Sequence, residues 1–432
     1  MMRLSQTAQF NAADAAAMRN TSMGIPRFAS GQFVIALAAL IAVVMAPRAF
    51  GGGFEVLQQS PRASGQADAF AAQADDPSAI WYNPAGLTQL QGTHFLVGGY
   101  LIDPSYRFDG PTADATMDKL SFLPQVYAES DFGLEDFRFG LGVNNVFGIN
   151  EDWGQNTPFA TVFTKGHLYV INIEPTVAYQ VTENFSLGVG LNVYFGSLDL
   201  EHKQPLGPPP TPMGHFRYHG DGWAVGASPG LMWKIDDRNT FAAIYHSAAK
   251  LNIDGPAEVT ANGIPPIGPS HSQTSIQLPQ SVGIAYAFRP VAPWKLEADV
   301  VWSNWRMLQQ IQLHSSNPAF NGQTIPTRYD DTWAFRFGTQ YDLNENWTIR
   351  GGYSYGTSAV PEATFGPIVP DANYHLFSAG LGYTVGRWTF DAAYLFILRE
   401  PRNISNSVYS PAVNGNWKTN LQGFMISAGI AL

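Results

Sequence analysis

The chain has 432 residues, no cysteine and a formal net charge of −10, which excludes disulfide frameworks and thiolate metal sites and argues against a nucleic-acid partner. Charged residues make up 13%, against roughly 25% in an average soluble domain, while aromatics reach 13% and glycine and proline number 42 and 30. Mean hydropathy is nonetheless close to neutral, far from that of a helical membrane protein; a β-barrel reconciles the two, because only every second strand residue meets lipid.

In chain order, the first feature is Phe33 to Ala46, FVIALAALIAVVMA, fourteen residues without a charge. It is shorter than the ~20 residues a spanning helix needs and fits the apolar core of a signal peptide. Arg27 supplies the preceding positive charge, and Pro47 and Ala49 supply helix-breaking and small residues near a cleavage point. Cleavage is expected between Ala49 and Gly52, Met23 is an alternative start, and residues 1–50 are set aside from fold reasoning.

Gly51 to Leu90 is small, polar and Ala/Gly-rich, with no regular alternation. From His94 onward the chain alternates. Phe424, Ile426, Ala428, Ile430 and Leu432 fall on one face and Gly423, Met425, Ser427, Gly429 and Ala431 on the other, the period of two that a strand requires. Fourteen such segments are predicted: 94–108, 119–130, 137–149, 168–181, 184–200, 221–235, 239–254, 273–289, 294–313, 331–343, 346–355, 374–385, 387–399 and 419–432. Short and long connections alternate, which places turns in the periplasm and loops outside. An even strand count puts both chain ends on the periplasmic side. The fold expected is all-β: a transmembrane 14-stranded antiparallel barrel (94–432) with residues 51–93 as a hatch, or plug, in its lumen. A soluble array of β-sandwiches is the alternative. No period of 20–50 residues suggests a solenoid or propeller.

Enzyme patterns are weak. No Gly-x-Ser-x-Gly elbow or phosphate-binding glycine loop occurs, and the nine histidines lack metal-ligand spacing. No catalytic residue, metal or cofactor is expected.

The chain carries, in order, the phrases Gly52-Gly53-Phe54, Asn83-Pro84-Ala85, Tyr245-His246-Ser247 with Asp254-Gly255, Leu278-Pro279-Gln280-Ser281, Trp302-Ser303-Asn304-Trp305, Arg350-Gly351-Gly352-Tyr353 and Pro370-Asp371-Ala372. Together they resemble the outer-membrane long-chain fatty acid and aromatic hydrocarbon transporters, the FadL/TodX family. Two departures stand out: Asn144 to Ile149 lacks the proline usual in the third strand, and the chain ends in Leu432 where such barrels generally end in Phe.

The resemblance implies passive uptake of long-chain fatty acids or aromatic or aliphatic hydrocarbons across the outer membrane of a Gram-negative cell. The ligand would bind in an apolar pocket and leave sideways at a kinked third strand. Gly53, Phe54 and Glu55 would form a mobile tip, unless they are merely a frayed terminus. Asn83, Pro84 and Ala85 would anchor the hatch as a structural turn. In the third strand, Gly140, Gly142 and Gly148 with Asn144, Asn145 and Phe147 would make an inward bend; small inward residues that leave room for the plug are the competing reading. Trp153, Phe159 and Phe163, with Val162, Leu206, Met213 and Phe216, would form a landing groove on the outer loops. Lys165, Lys203 and Arg217 are candidate carboxylate partners or plain solvated cations. The inward charges Lys295, Glu297, Asp299, Arg336, Arg350, Arg387 and Asp391 would link wall to plug, with Asp75-Asp76 opposite. Expected partners are the hydrophobic ligand, outer-membrane lipid and lipopolysaccharide, and the barrel assembly machinery; a monomer is expected. An open diffusion porin and an outer-membrane lipid esterase are the alternative functions.

Overall fold

The computed structural model describes residues 52–208 and 211–432. The expected signal segment, its expected cleavage point and Gly51 lie outside the described residues.

The strands form a closed antiparallel barrel of 14 staves. Staves β1 to β4 are Thr93–Asp109, a broken pair Asp114–Met117 and Ser121–Ser130, Phe137–Asp152, and Lys165–Thr182. Next come β5, Phe185–Pro205, and β6, Met213–Lys234. Both β7 (Asn239–His246 and Ala249–Ala261) and β8 (Ile264–Leu278 and Ser281–Val291) are interrupted midway. The interruption in β8 falls at Pro279, which has no N–H to give a ladder. Staves β9 to β14 are Trp294–Ser303, Thr332–Asp342, Trp347–Gly356, Tyr374–Val385, Trp388–Arg399 and Gly415–Ala431. Leu101 opposite Phe424 lies on the seam that joins β1 to β14 and closes the cylinder. Pairing of the first and last staves leaves the sheet without a terminal edge strand.

The two faces differ as the period demands. On β14, Phe424 and Ile426 are 47% and 55% exposed while Met425 between them is 0% exposed. Trp294 pairs with Tyr341 and Trp347 with Tyr383 toward the short-turn rim, where amphipathic rings suit a lipid–water boundary.

The staves differ from their predicted lengths mainly on the long-loop side. Staves β5 and β6 run 21 and 22 residues, about twice the ~9–11 needed to cross the hydrocarbon. The expected loop 201–220 is therefore mostly a hairpin, and 255–272 likewise continues β7 and β8. Its sequence lacks lipid-type alternation because cross-strand charges hold it instead: Lys165 lies 3.3 Å from Glu201 and Arg217 lies 2.7 Å from Asp199. The ninth strand is shorter than predicted, ending at Ser303 before a helical turn at Trp305–Met307.

From Pro61 to Leu87 every residue is buried except Arg62 and Asp75. This segment packs on the inward faces of the staves. A Cβ added at Gly140 or Gly142 of β3 would come within 2.8 or 2.9 Å of the Ile80 side chain, so these glycines make room for the segment; they are not where β3 bends.

Candidate functional site

The barrel wall is incomplete between β2 and β3. Their ladder runs only from Ser130 opposite Phe139 to Val126 opposite Val143. Beyond Val143, β3 stays paired to β4 as far as Asp152 opposite Lys165. Its register shifts between Asn145 and Phe147, leaving Val146 as an extra residue, a β-bulge. The bulge turns the outer half of β3 away from β2, and residues Ser121 to Gln125 keep a strand neighbour only on the β1 side. No proline is needed for this bend. Across the resulting slot, Asn150 Nδ2 donates to Ser121 Oγ at 2.8 Å.

The first described residues stand behind that slot. Val56 N–H donates to the Val146 carbonyl at 2.9 Å, and Gly148 N–H donates to the Phe54 carbonyl at 2.9 Å. Glu55 thus bridges Phe147 in antiparallel fashion. The Phe54 ring meets Trp305 edge-on at 4.8 Å and Phe147 at 6.0 Å. Gly53, Phe54, Glu55, Asn145, Phe147 and Gly148 are brought together as one site. Asn144 is buried on the same strand, and the Asn145 carbonyl accepts from Gln59 Nε2 at 2.8 Å.

Two cavities meet at Phe54. One, of about 320 Å³, opens through the slot and is lined by Ser121, Phe122, Gly148, Asn150, Glu55 and Arg399 among others. The second is a void of about 60 Å³ beneath the outer loops, lined mainly by apolar groups such as Leu198, Leu200, Ile276, Ile311 and Ile325. Phe54, Ile149, Leu168, Ile368 and Val369 line both, so the Phe54 side chain is part of the partition. Apolar enclosure of this kind suits a hydrophobic ligand.

Charges set the lower seat. Lys295 Nζ lies 2.6 Å from Asp75, Arg62 lies 3.1 Å from Asp75, and Arg350 lies 2.7 Å from Asp391. Burial alone would raise the Asp75 pKa, but Lys295 and Arg62 outweigh it and hold the carboxyl well below its usual range. Glu297 accepts the backbone N–H groups of Ala72 and Gln73 at 2.7 and 2.9 Å, Asp299 accepts from Phe70, and Arg336 donates to the Asp68 carbonyl. Two wall carboxylates therefore bind backbone, where ion pairs were expected. Arg387 faces solvent at the Gly386 turn and takes no part, a correction that follows from its place outside the β13 ladder. Glu55 faces the internal cavity; enclosure raises its pKa to about 7, and Arg336 offsets part of that rise.

Asn83 donates to the Ala71 carbonyl at 2.9 Å and to the Leu231 carbonyl of β6 at 3.1 Å, and accepts from Ala85 N at 3.2 Å. Pro84 opens a 3₁₀ turn, Pro84–Gln89. The triplet contacts neither cavity.

The loop aromatics are placed differently from the expectation. Trp153, Phe159 and Phe163 are buried and line neither cavity. Trp153 and Phe159 pack with each other and with Trp417, in a closed aromatic core; burying so much apolar area favours a closed core over an open groove. Phe216 is buried against Phe320, whereas Met213 is exposed. Lys165 and Arg217 are committed to Glu201 and Asp199.

Four residues of the site were not foreseen. Trp305 and Asp371, whose Oδ2 accepts from Gly53 N–H at 2.9 Å, stood inside matched phrases without a role. Val146 looks like an ordinary β-branched strand residue, and Arg399 like a strand-end cation.

The sequence matches the model of a family described as outer membrane protein transport protein (OMPP1/FadL/TodX) over residues 42–429. The long-chain fatty acid transport protein of Escherichia coli O6:H1 is 23% identical over 394 residues, covering 81% of this chain and 86% of that one. Outer membrane protein P1 of Haemophilus influenzae is 23% identical over 407 residues, covering 82% and 86%. Among solved structures, a Pseudomonas aeruginosa FadL homologue superposes with a TM-score of 0.79 at 20% identity, over 88% of this chain and all (100%) of that one. The Pseudomonas putida toluene transporter TodX gives 0.72 at 18% identity, over 88% and 99%. These structures share the barrel fold.

Proposed function

The chain belongs to the outer membrane protein transport protein family (OMPP1/FadL/TodX), a family of Gram-negative outer-membrane β-barrels, and on that premise we propose that it admits hydrophobic compounds by passive, lateral passage. Residues 52–92 act as a hatch. A ligand enters under the outer loops, reaches the apolar void beside Phe54, and displaces the hatch tip. It then leaves through the slot between β2 and β3 into the membrane. An apolar chain loses about 0.8 kcal/mol for each CH₂ returned to water, so a side exit into lipid avoids the cost of a watery bore.

The observation that carries this reading is the double use of the tip. Phe54 borders both cavities while its backbone is paired to the bulge of β3. Fatty acids fit better than hydrocarbons, because the guanidinium of Arg399 is a cation in the lining of the slot cavity. A carboxylate would satisfy it by a charge-assisted bond.

The chain has no cysteine, so the slot can be stapled selectively. With Ser121→Cys and Asn150→Cys together, oxidation should stop uptake of a radiolabelled long-chain fatty acid by whole cells, and reductant should restore it. Uptake that persists with the staple closed would rule out the side exit. A steady ion current through the wild-type protein in a planar bilayer would favour the porin reading.

A further inference from the structure

We infer that Pro124 of β2 is a positioning residue for lateral passage: it stops the ladder between β2 and β3 where the wall must stay open, because it faces β3 with no N–H to give. Its role in transport rests on the lateral-passage reading; its effect on the ladder rests on the backbone alone.

The direction of each backbone group on β2 follows from bonds at the short-turn end. Asp131 N–H donates to the carbonyl of Gly92, just ahead of β1. Successive residues of a strand turn their backbone groups to opposite neighbours. Odd-numbered residues of β2 therefore point to β1 and even-numbered ones to β3. On β3, the Asp136 carbonyl accepts from Gln180 N–H on the β4 side, which turns Phe139, Leu141 and Val143 toward β2. They stand opposite Ser130, Ala128 and Val126, so the two strands agree.

The next even residue is Pro124, and in continued register it would face Asn145. A proline cannot donate there, which is why prolines within sheets lie on edges. The carbonyl that such a bond would reach, on Asn145, accepts instead from Gln59 Nε2 of the N-terminal segment at 2.8 Å. One residue on, Gln125 Nε2 donates to the Gln58 carbonyl at 2.8 Å. The segment inside the barrel thus takes up bonds that the wall gives up. On the other side nothing is lost: Pro124 stands opposite Gly99 in a register that runs unbroken from Thr93 opposite Ser130 to Ile102 opposite Ser121.

An open lip in lipid cannot carry free donors, because hydrocarbon offers an N–H no partner. Within Ser121 to Gln125, Phe122 and Pro124 are the residues that point to β3, and only Phe122 keeps an N–H. An amide at position 124 would find its nearest relief in Asn145 and would draw the strands together. The Pro124 ring is exposed on the lipid face, so replacing it leaves the barrel interior filled.

The test is Pro124→Ala in the full-length barrel, with heat-modifiability as the check on assembly. In lipid nanodiscs, NMR should show a cross-strand contact between the α-protons of Gln125 and Asn144, absent from the wild type, and an amide contact between position 124 and Asn145. Uptake of a radiolabelled long-chain fatty acid by whole cells should fall about two- to tenfold, the factor one ladder bond supplies. Absence of the new contacts overturns the inference and means that the bulge alone sets the slot; the lateral-passage reading keeps its separate test in the Ser121→Cys/Asn150→Cys staple. New contacts with undiminished uptake overturn the positioning role, and the lateral-passage reading falls as well only if the closed staple also leaves uptake intact.

Discussion

Val56 donates its backbone N–H to the carbonyl of Val146 across 2.9 Å. Val146 is the extra residue of the β3 bulge, so the N-terminal segment is stitched to the same deformation that parts β3 from β2. Closing the slot from within and making the slot are two sides of one backbone arrangement.

Removing the Phe54 ring should join the two cavities. In soluble cores Phe→Ala costs about 3–5 kcal/mol, and here that loss weakens the seating of the tip and not the barrel. In Phe54→Ala cells the half-saturating concentration for fatty-acid uptake should rise about tenfold, the equivalent of 1.4 kcal/mol, while the maximal rate is kept and the barrel remains heat-modifiable. An unchanged saturation curve would remove Phe54 from the path.

Deleting Val146 should restore a regular register through β3 and draw its outer half back toward β2. Uptake should then fall to that of cells lacking the protein, with heat-modifiability preserved. Normal uptake by an assembled deletion variant would separate the bulge from transport.

Arg399→Gln should discriminate between cargo classes. A hydrogen bond to a charged group contributes about 1.5–3 kcal/mol, so uptake of a fatty acid at low concentration should drop about tenfold or more, while an alkane of equal length is unaffected. Parallel losses for both would make Arg399 a packing residue.

Glu55 predicts a pH dependence of seating. Its pKa rises from 4.5 to about 7 in the enclosed state, through burial partly offset by Arg336. The seated state therefore holds its proton over a range in which the released carboxyl is ionised. Seating is strongest below pH 4.5 and weakens as pH rises toward 7. Hydrogen exchange at Phe54 to Val56, corrected for intrinsic rates, should show less protection at pH 8 than at pH 5, and Glu55→Gln should flatten that change. Opposite or absent pH dependence in the wild type would contradict the assignment.

Lys295→Met should loosen the lower seat by leaving Asp75 with Arg62 alone. Bilayer recordings should then show brief openings that are absent from the wild type. Silent recordings would mean that Glu297 and Asp299, through their bonds to Phe70, Ala72 and Gln73, hold the segment without help from Lys295.

The strand pattern by itself determined the barrel, because lipid on one side and a packed interior on the other impose a period of two that any one stave displays, as at Phe424, Met425 and Ile426. The resemblance to the FadL/TodX family marked Gly53, Phe54, Asn145 and Gly148, which the fold brings together. Tertiary structure alone decided which residue of β3 bulges. A bulge is a mismatch between two strands, so Val146 carries no mark of it in its own neighbourhood. The fate of Trp153 and Phe159, the place of Arg399 in the cavity lining and the bond from Gly53 to Asp371 depend in the same way on partners far off in the chain. Local alternation reports which side a residue faces; only the packed molecule reports what it meets there.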